Sequence, residues 1–188
     1  PHHTIKGFDA NLSYSNFLEN AELILNLLKE RDDIQIAFKP HPILKENLYK
    51  LKEWGKVKTD TYFSSWDLLP NGQLNEGPYI DLFYYSDALI LDSASFIAEY
   101  LFFNKPCFFT MKDENVKFRF NSFGQMIFNY LYKGNSKKEI INFIDDIVID
   151  DNDYLKEKRQ KFFINKIKPN SNKTASQNIY QNLNKILS

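Results

Sequence analysis

Apolar residues in the first third of the chain alternate between helical and extended spacing. From residue 17 to 28 they recur at every third or fourth position, which predicts an amphipathic helix with Asn16 and Glu19 as its capping pair. Residues 34–39 form a short apolar run typical of a strand, and residues 44–54 return to helical spacing. A helix, a strand and a second helix are therefore predicted in this order.

The middle of the chain repeats this alternation after an interruption. Residues 57–78 include two prolines and two glycines, which predict a loop with at most short structure. Residues 79–85 have the spacing of a short helix, and residues 88–91 that of a buried strand. A helix over residues 95–103 and a strand over residues 107–110 follow.

The last third is predicted to be helical. Ser136 and Glu139 form a capping-box pattern that opens one helix, and a second helix begins within residues 150–153 and runs to Phe163. Thr174 and Gln177 form another such pattern at the start of a last helix.

Strands that alternate with helices imply a mostly parallel sheet with helices on both faces. The predicted fold class is therefore α/β, a Rossmann-like domain. The length of 188 residues suits one domain over residues 1–188, with the helices of residues 136–188 packing on it.

Composition and charge then narrow the class of protein. Hydrophobic residues make up 43% of the chain, including 17 Phe and 11 Tyr, which excludes a disordered polymer. The 24 Lys and Arg residues equal the 24 Asp and Glu residues, so no overall field attracts nucleic acid. Any anion site must therefore be local, and no nucleic-acid partner is expected.

The single cysteine, Cys107, excludes an internal disulfide and fits a reducing compartment. Its apolar neighbours predict a buried core residue rather than a nucleophile. No apolar stretch approaches the ~20 residues that span a bilayer. Residues 1–3 have the character of the end of a strand, which suggests that an N-terminal domain precedes this chain.

Two predicted strands end in polar clusters, and strand ends are where ligands bind in α/β sheets. In the first cluster, residues 39–42 (KPHP), two prolines hold His41 rigidly, and this histidine can donate a hydrogen bond to a phosphate oxygen. Lys39 adds a positive charge beside it. The alternative is a strand-ending turn in which the histidine only packs.

The second cluster, residues 92–95 (DSAS), stands just before a predicted helix, where backbone N–H groups and hydroxyls can bind phosphate. Ordinary N-capping by Asp92, Ser93 or Ser95 explains the same residue types. Glu99, one turn later, can accept bonds from ribose hydroxyls or simply face water. Together the two clusters suit an anionic ligand, and a nucleotide diphosphate fits best.

Two further histidines and the carboxylates complete the candidate chemistry. His2 and His3 are distant from His41 in sequence but can meet it in one cleft. No Asp-x-Asp motif follows a predicted strand, so neither a metal site nor a cofactor is predicted. The charge of a bound anion would instead be balanced by Lys39, His41 and helix amides.

The clusters and the residues after them resemble the CDP-glycerol glycerophosphotransferase family, which builds teichoic-acid and related capsule polymers in bacteria. The family pattern is an H-P pair, then S-D-x-x-I-T-D-Y-S-S, then D-Y-L-x-x-x-K-P. The matching segments are residues 39–42 (KPHP), 86–95 (SDALILDSAS) and 99–106 (EYLFFNKP). The likeness covers roughly residues 34–110, with a looser fit to the end.

The resemblance implies a GT-B-type fold of two Rossmann-like halves, of which this chain is the C-terminal, nucleotide-binding one. It implies that His41 and Ser95 contact a CDP-activated donor and that Glu99 replaces the family's acidic residue. A polymer or lipid-linked acceptor and the catalytic base are then expected at the other half, so we expect this chain alone to transfer nothing. The implied location is cytoplasmic, peripheral at the inner face of the cell membrane.

Two departures from the family pattern leave other readings open. Residues 1–4 (PHHT) stand where the family often carries P-T-W-R, and Ser93 replaces the tyrosine of D-Y-S-S. Bacterial sialyltransferases, which similarly hold CMP with an H-P pair and paired hydroxyls, are the alternative enzyme, and a UDP-sugar transferase is a third. A non-catalytic nucleotide-binding module is the alternative of a different class.

Overall fold

The computed structural model describes residues 1–5, 13–169 and 173–187. The strands are β1 (Ile36–Phe38), β2 (Gly72–Leu74), β3 (Leu89–Leu91), β4 (Cys107–Thr110) and β5 (Tyr132–Gly134). The α-helices are α1 (Phe17–Glu30), α2 (Leu44–Tyr49), α3 (Gly55–Leu68), α4 (Ile80–Tyr85), α5 (Phe96–Tyr100), α6 (Ser122–Ile127), α7 (Lys137–Asn142), α8 (Lys156–Phe162) and α9 (Ala175–Leu187). Short 3₁₀ turns lie at Leu101–Phe103, Val116–Arg119 and Phe128–Tyr130, and wider helical turns extend α7 over Phe143–Ile149 and α8 over Phe163–Ile167.

The strand pairs within the described residues are all parallel. β1 pairs with β2, where Ile36 lies opposite Gly72. β4 lies between β3 and β5, where Leu91 is opposite Phe109 and Thr110 is opposite Gly134. Parallel neighbours require crossover connections, and helices supply them here. This arrangement confirms the predicted α/β, Rossmann-like class.

Neighbouring residues of β4 show that the sheet is covered on both faces. Phe108 contacts the ring of Phe143 beyond α7, at 5.1 Å between ring centroids, in one buried cluster. Phe109 points the other way, to Phe128 at 5.3 Å, in a second cluster with α5 and α6. Because successive side chains of a strand face opposite sides, each face of β4 buries its own aromatic core.

The amino-terminal segment, residues 1–5, lies between the ends of β1 and β3. The backbone N–H of His41 donates to the carbonyl of Pro1 at 3.1 Å. The backbone N–H of His2 donates to the carboxylate of Asp92 at 2.5 Å. The spatial order is therefore β2, β1, this segment, β3, β4 and β5.

The predicted loop over residues 57–78 is wrong, because most of it forms α3 and β2. The prolines and glycines of this stretch predict a loop, but the spacing of its larger side chains is helical. The residues that α3 buries recur at intervals of three and four, namely Thr59, Tyr62, Phe63 and Trp66. The helix-breaking Pro70 and Gly72 come only after the helix has ended.

Two of the three predicted caps are confirmed. Ser136 Oγ accepts from the N–H of Glu139, whose carboxylate accepts from the N–H of Ser136, so α7 opens with a capping box. Thr174 and Gln177 make the same reciprocal pair before α9. The predicted cap of α1 by Asn16 is wrong, because this side chain is held by a tertiary contact with β4 instead.

The remaining differences concern boundaries, the strand β5 and the helix α6 (Ser122–Ile127), which the sequence did not predict. α2 ends at Tyr49, earlier than the predicted 44–54, and the predicted helix from residues 150–153 begins at Lys156. β5 was not predicted, because three residues are too few to show an alternating pattern.

The last helix differs from the two before it. α7 and α8 bury Ile140 and Phe162 respectively, whereas none of the described residues of α9 is buried. The apolar side chains of Ile179, Leu183 and Ile186 are all exposed. Among the residues that the structure describes, no helix combines the length and the apolar character needed to cross a membrane.

Candidate functional site

A cavity of about 1390 Å³ opens at the carboxyl ends of β1 and β3, where the strand order changes direction. This is the position at which open α/β sheets bind their ligands. The polar residues at its mouth are Lys39, His41, Asp92, Ser93 and Ser95. The two clusters predicted from the sequence therefore meet at one cavity.

The three histidines of the chain form one cluster beside this mouth. The ring of His3 lies between the other two, with centroids 4.3 Å from His2 and 4.1 Å from His41. The centroids of His2 and His41 are 5.6 Å apart. His2 and His3 therefore meet His41 as predicted, although of the three only His41 lines the cavity, and their contact with a ligand stays a prediction.

Burial and mutual repulsion keep these histidines neutral. Desolvation, with a further contribution from His3, lowers the pKa of His2 to about 4, against an opposing effect of Asp92. Desolvation also lowers the pKa of His3 and of His41, and the charge of Lys39 adds to the effect on His41. At pH 7 the imidazoles are therefore uncharged hydrogen-bonding groups in the ligand-free protein.

The hydrogen bonds of two rings assign their tautomers. His41 Nδ1 accepts from the N–H of Ile43 at 3.3 Å. His2 Nδ1 lies 2.8 Å from Thr4 Oγ1 and accepts from the N–H of Thr4 at 3.4 Å. Because Nδ1 acts as the acceptor in both rings, the proton lies on Nε2, which can donate to an anion.

Lys39 supplies the positive charge at the mouth. It follows β1 directly, and desolvation lowers the pKa of its ammonium group, with Glu76 opposing that shift. The cavity lining includes both Lys39 and Glu76. A bound anion would compensate the desolvation that this lysine experiences.

The hydroxyls of Ser93 and Ser95 lie on the opposite side of the mouth, 3.2 Å apart. Both residues follow β3, and Ser95 precedes α5. Neither Ser93 nor Ser95 is seen to cap α5 by its side chain within the described residues, which removes the capping explanation for these two serines. Since α5 has only five residues, the hydroxyls rather than a long helix dipole characterise this side.

Asp92 has a different environment from the two serines. It is only 2% exposed, and its carboxylate accepts from the N–H of His2, from Ser15 Oγ at 2.7 Å and from the N–H of Asn16 at 3.2 Å. These bonds tie residues 1–5 and the start of α1 to the end of β3. The carboxylate thus positions the histidine-bearing segment at the mouth.

Glu99 lies behind the mouth. Its carboxylate accepts from the hydroxyl of Tyr79 at 2.6 Å, and this bond raises the pKa of Tyr79. Tyr79 lines the cavity, whereas Glu99 is set back by one side chain. The cavity therefore presents the Tyr79 side of this pair rather than the carboxylate.

Lys105, the lysine of the K-P pair at residues 105–106, stabilises the segment that leads into β3. Its ammonium group donates to the carbonyls of Phe83 at 3.3 Å, Tyr84 at 2.5 Å and Ser86 at 2.5 Å. These are carbonyls at the end of α4, which the helix itself cannot pair. Lys105 therefore has a structural explanation within the chain.

Sequence reasoning missed the residues that support the site. Ser15 and Asn16, which directly precede α1, donate to Asp92, and Thr110 of β4 donates to Asn16 Oδ1 at 2.8 Å. All three are buried polar residues. Only their polarity beside apolar runs could have signalled this role. The described residues contain no group of three or more His, Cys, Asp or Glu that could hold a metal ion.

Comparison with known families gives one match of long extent. The model of the CDP-glycerol:poly(glycerophosphate) glycerophosphotransferase family matches residues 8–185, which is most of the chain. No curated protein and no solved structure matches this chain. The matched range spans both strand-end clusters and α1.

Proposed function

The chain belongs to the CDP-glycerol:poly(glycerophosphate) glycerophosphotransferase family, and on that premise we propose that it is the donor-binding half of such a transferase. In this proposal the enzyme transfers glycerol phosphate, or a related polyol phosphate, from a CDP-activated donor to a growing teichoic-acid-like or capsule chain. The acceptor and the catalytic base belong to a second, N-terminal half of a GT-B-type fold. The enzyme acts at the inner face of the cell membrane.

The convergence of the histidine cluster, Lys39 and the two serine hydroxyls at one cavity mouth supports donor binding. A diphosphate needs positive charge and several hydrogen-bond donors. Lys39 offers an ammonium group, His41 offers Nε2–H, and the hydroxyls of Ser93 and Ser95 lie on the opposite side. Fixed donors around a leaving diphosphate stabilise the charge that develops as the phosphoryl group is transferred.

The first test is nucleotide preference. We expect the protein to bind CDP and CMP and to bind ADP at least about tenfold more weakly, a difference of ~1.4 kcal/mol. Isothermal titration calorimetry with CDP, CMP, UDP and ADP measures this directly. Equal affinity for ADP would contradict the cytidine assignment, whereas a preference for UDP would favour a UDP-sugar transferase.

Substitution of single donors is the second test. His41→Ala and Ser95→Ala should each weaken CDP binding by ~1–3 kcal/mol, the usual range for a bond to a charged group. Thermal stability should change little, because both side chains face the cavity. Ser65→Ala is the matched control, since Ser65 is a partly exposed serine on α3, outside the cavity lining, and its hydroxyl donates to the carbonyl of Thr61. A fall in melting temperature with unchanged affinity would indicate packing roles instead.

The pH dependence of binding is the third test. The histidines are neutral in the free protein, and a bound diphosphate favours their protonated form, so binding should take up protons and strengthen as the pH falls from about 8 to 5.5. CDP-glycerol is the suitable probe, because its diphosphate diester does not titrate there. Calorimetry in buffers of different ionisation enthalpy counts the protons, and His41→Gln should reduce the number. Affinity that is flat or falls in this range would contradict the assignment.

The stability of the ligand-free protein should change with pH in the opposite direction to the affinity for the donor. Because the folded pKa of His2 lies below the ordinary value of 6.5, at about 4, the unfolded chain binds more protons between these two values. Stability should therefore decrease as the pH falls through this window, and donor binding should offset the decrease.

A further inference from the structure

The cavity continues from its polar mouth into an apolar space between β1 and β3. All three residues of each strand line it, together with Ile24 of α1 and Ile144 beyond α7. The total of about 1390 Å³ exceeds the ~300–1,000 Å³ of ordinary small-molecule sites. A second occupant besides the nucleotide therefore has room.

The edges of β1 and β3 that border this space direct backbone N–H and carbonyl groups into it. In β1, the N–H of Ile36 and the carbonyl of Phe38 bond to the β2 side, so the N–H and carbonyl of Ala37 point to the cavity. In β3, the N–H of Leu89 bonds to the carbonyl of Pro106, so the groups of Ile90 point to the cavity from the other side. Two parallel edges thus face each other.

The amino-terminal segment already makes one backbone hydrogen bond with the chain just beyond β1, of the kind that joins parallel strands. Alternate residues of an extended chain face the same edge, so the N–H groups of Ala37, Lys39 and His41 share the cavity side. The N–H of His41 bonds to the carbonyl of Pro1 at 3.1 Å. A parallel ladder that continued from this bond would bring the carbonyls two and four residues before Pro1 to Lys39 and Ala37.

The opposite edge has matching geometry. The N–H of His2 points to β3, where it bonds to Asp92. The residue before Pro1 would face the same way, towards Ile90. A strand that enters Pro1 in the direction of β1 and β3 would therefore meet both edges in register.

We infer that the apolar part of the cavity accommodates an extended apolar segment joined directly to Pro1, which forms a parallel strand between β1 and β3. This strand joins the two sheets into one and ends at His2 and His3, so it holds the histidine cluster at the mouth. Strands buried on both faces in parallel sheets are apolar throughout, which is the chemistry of the lining. The inference concerns folding and does not depend on the identity of the donor.

The test adds such a segment to the chain. An extension of about six valine and isoleucine residues before Pro1, the usual length of a strand, is compared with a serine and asparagine extension of equal length. Hydrogen exchange followed by NMR should show the amides of Ala37 and Ile90 protected about tenfold or more by the apolar extension only. The melting temperature should rise with it.

Ala37→Pro gives a matched check that does not depend on the composition of the extension. Proline removes the N–H that faces the cavity and leaves the bonds of Ile36 and Phe38 to the β2 side in place. The substitution should abolish most of the gain in melting temperature in the extended protein and have a smaller effect without the extension. Equal effects in both proteins would overturn the inference.

Three other results would also overturn it. Unchanged exchange at Ala37 and Ile90 would mean that the extension does not enter the cavity. Protection that appears only with dimers in analytical ultracentrifugation would mean that the edges pair between molecules. Protection of the same amides by CDP, without any effect of the extension, would mean that the whole cavity is a ligand pocket.

Discussion

Replacement of Asp153 by alanine is expected to lower the free energy of unfolding by about 3–5 kcal/mol. The carboxylate forms an ion pair with Arg159, and the two side chains are 6% and 1% exposed. Asp153 also accepts from the hydroxyl of Tyr132 at 2.8 Å, and Arg159 donates to the carbonyl of Asn104 at 3.1 Å. The substitution leaves the guanidinium group buried without its counter-charge. Urea denaturation measures the loss.

A second ion pair, on helix α8 that also carries Arg159, is the control. Lys161 and Glu157 lie one turn apart with side chains 77% and 88% exposed, so Glu157→Ala should have little effect on stability. Asp153→Ala combined with Arg159→Leu should be more stable than Asp153→Ala alone, because the unpaired charge is gone. If the double variant is no more stable, burial of the charge is not the cause.

The Asp153–Arg159 ion pair also makes the stability of the fold depend on pH. Burial by itself raises the pKa of Asp153, but the hydrogen bonds from Arg159 and Tyr132 outweigh it and lower the pKa below the ordinary value. The folded state therefore binds fewer protons than the unfolded state, and this stabilisation is lost as the pH falls through the lowered pKa. In Asp153→Ala this component of acid denaturation should disappear.

Replacement of Asp92 by alanine is expected to cost about 3 kcal/mol of stability and to weaken donor binding as well. Each buried donor left without an acceptor costs ~1–3 kcal/mol, and Asp92 accepts from His2, Ser15 and Asn16. Loss of these bonds releases the segment that carries His2 and His3. Thermal denaturation and calorimetry with CDP, measured together, test both effects.

Asp87→Ala is the matched control, because Asp87 is an exposed aspartate before β3 rather than after it. It should leave the melting temperature nearly unchanged. If Asp92→Ala weakened CDP binding without any loss of stability, the carboxylate would contact the ligand directly. Its role as a positioning residue would then be refuted.

The local signals that proved reliable depend on neighbouring residues alone. The capping boxes at Ser136 and Thr174 each satisfy two backbone groups within four residues, so the sequence contains the whole interaction. The α1 cap failed for the opposite reason. Asn16 has the right residue type, but Asp92 and Thr110, which are distant in sequence, compete for its polar groups.

In the candidate site, too, local patterns predicted some features and contacts between distant residues decided others. The strand-end motifs predicted Lys39, His41, Ser93 and Ser95 because a parallel sheet brings the carboxyl ends of its strands to one edge. The sequence could not predict that the carboxylate of Asp92 is buried by three internal bonds while the serines beside it stay at least partly exposed, since that depends on where α1 and residues 1–5 pack.

From the sequence alone follow the alternation of helices and strands, the α/β class and the two clusters that mark the mouth of the cavity. These depend on periodicity and on short-range hydrogen bonds, which neighbouring residues determine. Only the tertiary structure decided that residues 57–78 form α3 and β2, that three histidine rings meet in one cluster and that β1 and β3 face each other across an apolar space. These features arise from contacts between segments far apart in the chain, where packing outweighs local preference.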